Sequence, residues 1–139
     1  MLLLDTNVIS ELRKVHTGKA DVQFAQWADR LILPELYMSV ISLMELETGV
    51  LRIERRDVQQ GQLLRQWLDQ QVLPAFEKRI LAVDRQVALA CARLHVPDPR
   101  SERDALIAAT AITHGMTVAT RNISDFKETG VRLLNPWQI

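Results

Sequence analysis

Residues 104–126 read DALIAATAITHGMTVATRNISDF, and this stretch decides the fold. Its first part, from Ala105 to Ile112, is apolar on almost every side, which predicts a buried helix whose alanines let a neighbour pack closely. The run Met116–Ala119 then predicts a short buried strand. Polar and acidic residues, Asn122 and Asp125, follow that strand. A long helix that leads directly into a strand is typical of an α/β protein.

The same alternation extends over the rest of the chain. Short β-like runs are found at Leu2–Leu4, Leu36–Val40, Ile80–Val83, Met116–Ala119 and Val131–Leu134. Apolar stripes at helical spacing lie between them, from Phe24 to Leu31, from Leu63 to Val72 and from Val87 to His95. This order predicts parallel pairing with right-handed crossovers, and therefore a three-layer α/β/α sandwich around a central, mostly parallel twisted sheet. We expect residues 1–139 to form a single domain.

Composition limits the class of protein. The chain is 47% hydrophobic and 24% charged, as in ordinary soluble domains. Its single cysteine, Cys91, excludes an internal disulfide. The sequence has neither a signal peptide nor an apolar run long enough to span a membrane, so we expect a cytoplasmic protein. Lys+Arg and Asp+Glu number 17 each. Balanced charge is mild evidence against a nucleic-acid partner, unless an acidic metal site offsets basic groups that bind phosphate.

Several familiar catalytic and cofactor motifs are absent. The five glycines form neither a dinucleotide-binding fingerprint nor a phosphate loop. The three histidines are scattered and make no zinc-binding pair. No serine lies in the G-x-S-x-G context of a hydrolase nucleophile. These absences leave the acidic residues as the candidates for chemistry.

Acids lie at the predicted carboxyl ends of the strands. Asp5 directly follows the first strand, Glu45 comes shortly after the second and Asp125 follows the fourth, while Asp104 begins the buried helix. Ligand sites of open parallel sheets lie beyond the carboxyl ends of the strands. Two carboxylates at 4 Å repel by roughly 4 kcal/mol near a surface, which a divalent cation offsets. Oxygen ligands favour Mg²⁺ or Mn²⁺, and the chemistry indicated is metal-assisted attack of water on a phosphodiester.

Each acid also has a simpler interpretation. Asp5 and Asp84 are suited to cap the helices that follow them. The run Ser42-Leu-Met-Glu45 matches a capping box, and Asp125 lies in a turn-like segment. We favour the capping role for Asp84. For the others, the coincidence of four acids on one predicted edge favours a shared site, and capping is compatible with metal binding.

Four motifs and the C-terminal segment together resemble one family. They are MLLLDTNVISEL at 1–12, SLMELETGV at 42–50, DALIAATAITHG at 104–115, VATRNISDF at 118–126 and the closing LLNPW at 133–137. In this order they resemble the PIN-domain family, and most closely its VapC- and FitB-like toxins from bacterial toxin–antitoxin pairs. The resemblance implies a parallel-sheet α/β/α fold, Mg²⁺- or Mn²⁺-dependent ribonuclease activity, homodimers and inhibition by a cognate antitoxin.

The resemblance also assigns roles to residues. It places the family's acids on Asp5, Glu45 and Asp104, and it selects Glu45 over Glu47, which lies about 200° further around the same helix. Asn122 stands where the family often has Asp, and Asp125 matches the acid of the closing Asp-Phe. We expect Asp5 and Asp104 to bind the metal directly, and Glu45 and Asp125 to bind it through water or to orient the attacking water. We expect Thr6, Asn7 and Thr120 to hold the site through side-chain hydrogen bonds, and Asn122 to bind a metal-bound water by hydrogen bonding.

The interpretation from sequence is a cytoplasmic endoribonuclease toxin. Its RNA substrate would bind at the acidic site, and an antitoxin would block that site with an arginine or lysine. A homodimer is expected through the helices that carry Trp27, Trp67 and Gly49. Two alternatives stay open at this point. One is a PIN-like module with weakened catalysis that binds RNA or protein, which the asparagine at 122 keeps open. The other is a metal-dependent phosphatase.

Overall fold

A computed structural model describes all residues from 1 to 139. The strands are β1 (Leu2–Leu4), β2 (Leu36–Ser39), β3 (Ile80–Leu81), β4 (Thr117–Ala119) and β5 (Leu133–Leu134). The helices are α1 (Thr6–Val15), α2 (Val22–Ala28), α3 (Val40–Arg56), α4 (Val58–Trp67), α5 (Leu73–Ala75), α6 (Arg85–Leu94), α7 (Glu102–His114) and α8 (Ile123–Phe126). A 3₁₀ turn, Leu33–Glu35, precedes β2, and a π-helical segment, Leu68–Val72, joins α4 to α5.

The five strands form one sheet in the order β3-β2-β1-β4-β5, and every neighbouring pair is parallel. This confirms the predicted α/β class. All five predicted strands are present, but four of them are shorter than expected. Val40, for example, is the first residue of α3 rather than the last of β2, because the Ser39 side chain accepts a hydrogen bond from the Ile41 N–H and starts the helix there.

Helices cover both faces of the sheet, because successive strand residues point to opposite sides. Leu4 of β1 packs into the larger core with α1, α2 and α3, whereas Leu3 packs into a second core with α7 and α8. Both leucines are fully buried. The predicted buried helix is α7, in which Ala105, Ile107 and Ala108 are at most 1% exposed. The three predicted layers are therefore confirmed.

The start of helix α3 corrects one interpretation from the sequence. Because the helix starts after Ser39, Ser42 and Glu45 both lie inside it, and the predicted capping box is wrong. Gly49 lies in mid-helix, and a Cβ there would meet no atom within 4 Å. A close backbone approach is found at Gly61 of α4, where a Cβ would lie 2.5 Å from the Glu54 Cα of α3.

No helix in the structure is long and apolar enough to cross a membrane.

Candidate active site

The strand order creates a crevice beside β1. The chain leaves β1 toward β2 on one side and leaves β4 toward β5 on the other, so the connections diverge above the β1–β4 pair. Such a point in an open parallel sheet is where ligands bind. Asp5 lies at this point: its backbone N–H donates to the Ala119 carbonyl at 2.9 Å, which fixes it beside the end of β4.

Asp5 is held by its neighbours in one orientation. It caps α1, as expected, with Oδ1 accepting from the Thr6 N–H at 2.8 Å. Its Oδ2 accepts from the Thr120 hydroxyl at 2.7 Å and from Asn7 Nδ2 at 3.3 Å. The residue is only 6% exposed, and burial raises the pKa of its carboxyl, while the Thr120 and Thr6 hydrogen bonds oppose that rise. Asp5 is therefore a buried, oriented carboxylate at the crevice.

Glu45 joins the site through Thr6. The Thr6 hydroxyl donates to Glu45 Oε1 at 2.6 Å, which fastens α3 to the start of α1. The other oxygen, Oε2, lies 3.5 Å from a guanidinium nitrogen of Arg103 on α7. The negative charge of Glu45 also raises the pKa of Asp5, which places the two carboxylates within electrostatic reach of each other.

Asp104 faces the other carboxylates from the first turn of α7. Burial raises its pKa most, and the charges of Asp125 and Asp5 raise it further, with a smaller effect from Glu45. The Ser101 side chain lowers it in part. Like-charge repulsion of this kind requires proximity. The structure thus places Asp104 within electrostatic reach of the other three acids that the sequence predicted for the site.

Asn7, Thr120 and Asn122 form a polar frame around Asp5. Asn7 Nδ2 lies 3.5 Å from the Thr120 hydroxyl, and Asn7 Oδ1 accepts from the Arg121 N–H at 3.1 Å. The Asn122 N–H donates to the Thr120 hydroxyl oxygen at 3.0 Å. Asn122 starts α8 without a side-chain capping bond, so its amide group is not used by the helix. The expected supporting residues all lie at the site.

The donor set fits a hydrated divalent cation. No group of three carboxylate, histidine or cysteine side chains converges closely enough to hold a metal ion by itself. Mg²⁺ is usually bound by one or two carboxylates and keeps several waters, so a full protein cage is not required. Carboxylate oxygens from Asp5 and Asp104, completed by waters, would suit such an ion. The separate roles expected for these two residues and for Glu45 and Asp125 stay predictions.

Two acids belong elsewhere. Glu47 makes a bidentate pair with Arg65 of α4, with both oxygens at 2.7 Å, so it serves the α3–α4 contact. Asp84 caps α6 by accepting from the Val87 N–H, which confirms the capping role. Sequence reasoning missed Arg103 and the pair of Arg121 and Trp137 near the site. Single arginines and a late tryptophan carry no local pattern that would have revealed them.

A cavity of about 340 Å³ forms an apolar groove, and none of the four site acids lines it. It is lined on one side by Ile9, Leu12 and Val15 of α1, and on the other by residues around Trp67 and Phe76. The first turn of α1 therefore supports the acidic site, and its later turns line the groove.

Comparisons with known proteins agree with this geometry. Residues 2–131 match the family model described as PIN domain. VapC ribonuclease Y4jK of Sinorhizobium fredii is 36% identical over 146 residues, and Toxin FitB of Neisseria gonorrhoeae is 37% identical over 142 residues, each covering 99% of both chains. The crystal structure of FitAcB from Neisseria gonorrhoeae matches with a TM-score of 0.90 at 36% identity over 100% of both chains. A toxin–antitoxin complex from Klebsiella pneumoniae matches with a TM-score of 0.68 at 26% identity, again over 100% of both chains.

The crevice, the carboxylate cluster and these matches define the class, and this chain belongs to the PIN-domain family.

Proposed function

We propose that this chain is a Mg²⁺- or Mn²⁺-dependent endoribonuclease that acts in the cytoplasm as the toxin of a toxin–antitoxin pair. The observation that carries the proposal is the cluster of Asp5, Glu45, Asp104 and Asp125 at the β1–β4 crevice of a PIN domain. The full-length similarity to a VapC ribonuclease and to toxin FitB supports both the chemistry and the biological role.

The residues of this chain divide the work. Asp5 and Asp104 supply negative oxygens, and Thr120 and Asn7 keep Asp5 from rotating. Glu45, held by Thr6, and Asp125 would accept a proton from water and orient it toward a phosphorus atom. A divalent cation bound here supplies positive charge for the phosphate oxygens and lowers the pKa of water.

An RNA cleavage assay tests the proposal. Wild-type protein in Mg²⁺ or Mn²⁺ is expected to cleave single-stranded or loop RNA, and a chelator is expected to abolish the activity. Asp104→Asn should reduce the rate by several orders of magnitude while the fold is retained. Glu102→Gln is the matched control, because it removes an exposed charge two positions away on the same helix. Near wild-type cleavage by Asp104→Asn would show that the site is misassigned.

Asn122 supports one alternative, a PIN-like module that binds RNA or protein with little catalysis. The amide replaces a possible carboxylate beside Thr120 and leaves the site one charge short. RNA binding without metal-dependent cleavage by the wild type would favour this alternative. Hydrolysis of a chromogenic phosphate ester, without RNA cleavage, would instead favour a phosphatase.

We also propose that the antitoxin blocks the acidic site with a cation. Arg103 of this chain already lies 3.5 Å from Glu45, so that carboxylate is accessible to a guanidinium. Glu45→Gln and Asp125→Asn should weaken the complex with an antitoxin encoded beside this chain, and Mn²⁺ should compete with it. Glu47→Gln, on the other side of α3, should leave binding unchanged. Affinity that is insensitive to metal and to both site variants would exclude this mechanism.

We propose that the apolar groove binds a helix of the antitoxin, next to the cation that blocks the acidic site. An amphipathic helix lying along α1 would bury its apolar face against Leu12 and Val15 and reach the acids about 13 Å away, at the start of α1. Leu33 is 47% exposed at the groove, so Leu33→Asp is expected to weaken the complex without affecting RNA cleavage. Unchanged affinity would place the antitoxin elsewhere.

We also propose the expected homodimer, but with an interface formed by fewer helices than the sequence suggested. Trp27 is only 6% exposed and packs on Phe24 within its own chain, so it contributes little to an interface. Helix α3 instead exposes Met44 and Leu51, which are seven residues apart and therefore lie on the same face of the helix. We propose this face as the dimer contact. Sedimentation should give a dimer at micromolar concentration and a monomer for Leu51→Glu. A monomeric wild type would contradict the proposal.

A further inference from the structure

An acidic nuclease site must admit a polyanion. The metal offsets the carboxylates at the scissile phosphate, but the neighbouring phosphates of an RNA strand still approach four acids. The chain as a whole has a formal net charge of 0, so no overall positive field attracts RNA. Cationic side chains beside the crevice therefore decide how substrate is held.

Arg121 is such a side chain. It lies between Thr120 and Asn122, and its N–H donates to Asn7 Oδ1, while Asn7 Nδ2 donates to Asp5. The backbone of Arg121 is thus two hydrogen bonds from a proposed metal ligand. The side chain is exposed and forms no ion pair with any carboxylate of the chain, unlike Arg103.

The side chain of Arg121 contacts the indole ring of Trp137. The Arg121 Cζ lies 5.1 Å from the centroid of the indole ring, in a cation–π contact. Trp137 is 9% exposed, and its ring packs against the fully buried Phe24, with centroids 4.7 Å apart. The platform under Arg121 is therefore part of the larger core. One face of the guanidinium rests on it, and the remaining donors are open to solvent.

We propose that Arg121 binds a backbone phosphate of the RNA next to the scissile one, and that Trp137 is a positioning residue that holds Arg121 for this contact. The inference rests on the proposed ribonuclease function and adds a substrate-binding residue to it. A guanidinium offers paired donors that match phosphate oxygens, which a lysine ammonium does not. Held in advance by the ring, it loses less conformational entropy on binding.

The test measures kcat and KM on a labelled single-stranded RNA over a range of salt concentrations. Arg121→Gln should raise KM about tenfold, the effect of one lost charge-assisted contact, with kcat little changed. The plot of log affinity against log salt should become shallower by about 0.7, the value for one phosphate on a single strand. Arg121→Lys should keep the salt slope but not the full affinity.

The matched control is Arg132→Gln. Arg132 is an exposed arginine whose side chain donates to the Gly115 carbonyl. Both residues lie at the amino ends of β4 and β5, opposite to the acidic site. The Arg132→Gln substitution removes the same charge as Arg121→Gln and should leave KM and the salt slope unchanged. Equal effects of the two variants would reduce the role of Arg121 to general electrostatics, and no effect of Arg121→Gln would exclude the contact. A fall in kcat at constant KM would also overturn the proposal.

Trp137→Leu tests the positioning role. It keeps the charge of Arg121 and should raise KM in the same direction, while Trp137→Phe should retain part of the effect of the ring. Melting curves check that both variants are folded at the assay temperature. Wild-type KM in folded Trp137→Leu would refute the role of the ring.

If the wild type cleaves no RNA, the proposed function fails, and the same labelled RNA is then used in an anisotropy titration. A loss of binding in Arg121→Gln alone still supports the phosphate contact, whereas equal binding of both arginine variants refutes it.

Discussion

Asp5 shows how one residue serves the fold and the site together. Its Oδ1 caps α1 and its Oδ2 is held by Thr120 and Asn7. The carboxylate that caps α1 is also the metal ligand that we propose, because the start of α1 lies at the carboxyl edge of the sheet. The cost is burial of a charge, which is expressed in the raised pKa of the Asp5 carboxyl.

Thr120→Val tests the importance of this support. The substitution keeps the shape of the side chain but removes the hydroxyl that donates to Asp5 and accepts from the Asn122 N–H. The buried carboxylate then loses a partner, so we expect the free energy of unfolding to fall by about 1–3 kcal/mol. Metal affinity should fall about 10- to 100-fold. Urea denaturation and a Mn²⁺ titration measure the two effects. Thr120→Ser should preserve both properties, and loss of both in that variant would contradict the hydroxyl's role.

The pKa of Asp104 gives a pH dependence with a defined sign. Its native pKa lies above the ordinary value of 3.8, so below pH 3.8 the carboxyl is protonated in both the native and unfolded states. As the pH rises through the native pKa, the native state must lose a proton that it binds more tightly, and stability is lost. In chelator, Asp104→Asn should therefore gain stability relative to wild type as pH rises from about 3.5 to 7. Denaturant titrations at several pH values check this, and a difference that is independent of pH would contradict it.

At the scale of elements, α3 carries two acids, Glu45 and Glu47, that have different partners. Glu45 faces the start of α1, and Glu47 faces Arg65 of α4. The same helix packs closely on α4 at Gly61 and presents the exposed Gly49 to solvent. Gly61 must therefore lack a Cβ, whereas Gly49 has room for one. The sequence pattern does not distinguish these two positions.

Substituting the two glycines should have opposite effects. In Gly61→Ala the new Cβ would lie 2.5 Å from the backbone of Glu54, so α3 and α4 must separate and stability should fall by about 1–3 kcal/mol. In Gly49→Ala nothing lies within 4 Å, and the helix should gain up to about 1 kcal/mol. Thermal melting at low protein concentration compares the two. A destabilised Gly49→Ala monomer would refute the open space at that position.

For the whole molecule, folding is what brings the four acids together. The repulsion among them therefore acts on the native state alone, and a cation that binds this state stabilises it by about 2.7 kcal/mol at a hundred times Kd. The melting temperature should rise by several degrees in millimolar Mn²⁺.

Asn122→Asp sharpens this prediction. A further charge near Asp104 and Asp5 should lower the melting temperature in chelator and increase the shift produced by Mn²⁺. A simple packing defect would lower stability in both conditions, so the opposite signs identify a metal-facing position. A shift no larger than that of wild type would place the side chain of Asn122 away from the ion. No shift in the wild type would favour the module that binds without catalysis.

The sequence by itself determined the order of strands and helices along the chain, the parallel pairing of the strands and the acids that follow them. These features are local: burial periodicity selects helix or strand, and an acid after a strand lies at the carboxyl edge in any parallel arrangement. The sequence predicted the ends of helices and strands less accurately. The Ser39 side chain starts α3 three residues before the predicted box, because two serines compete for the same role.

The tertiary structure alone decided which residues meet. Thr120 reaches Asp5 across 115 positions, and Thr6 reaches Glu45 across 39, because β4 pairs with β1 and α3 packs beside α1. The platform of Phe24 and Trp137 beneath Arg121 joins the two ends of the chain in one core. Such contacts depend on packing between distant segments, and packing carries no periodic signature in the sequence.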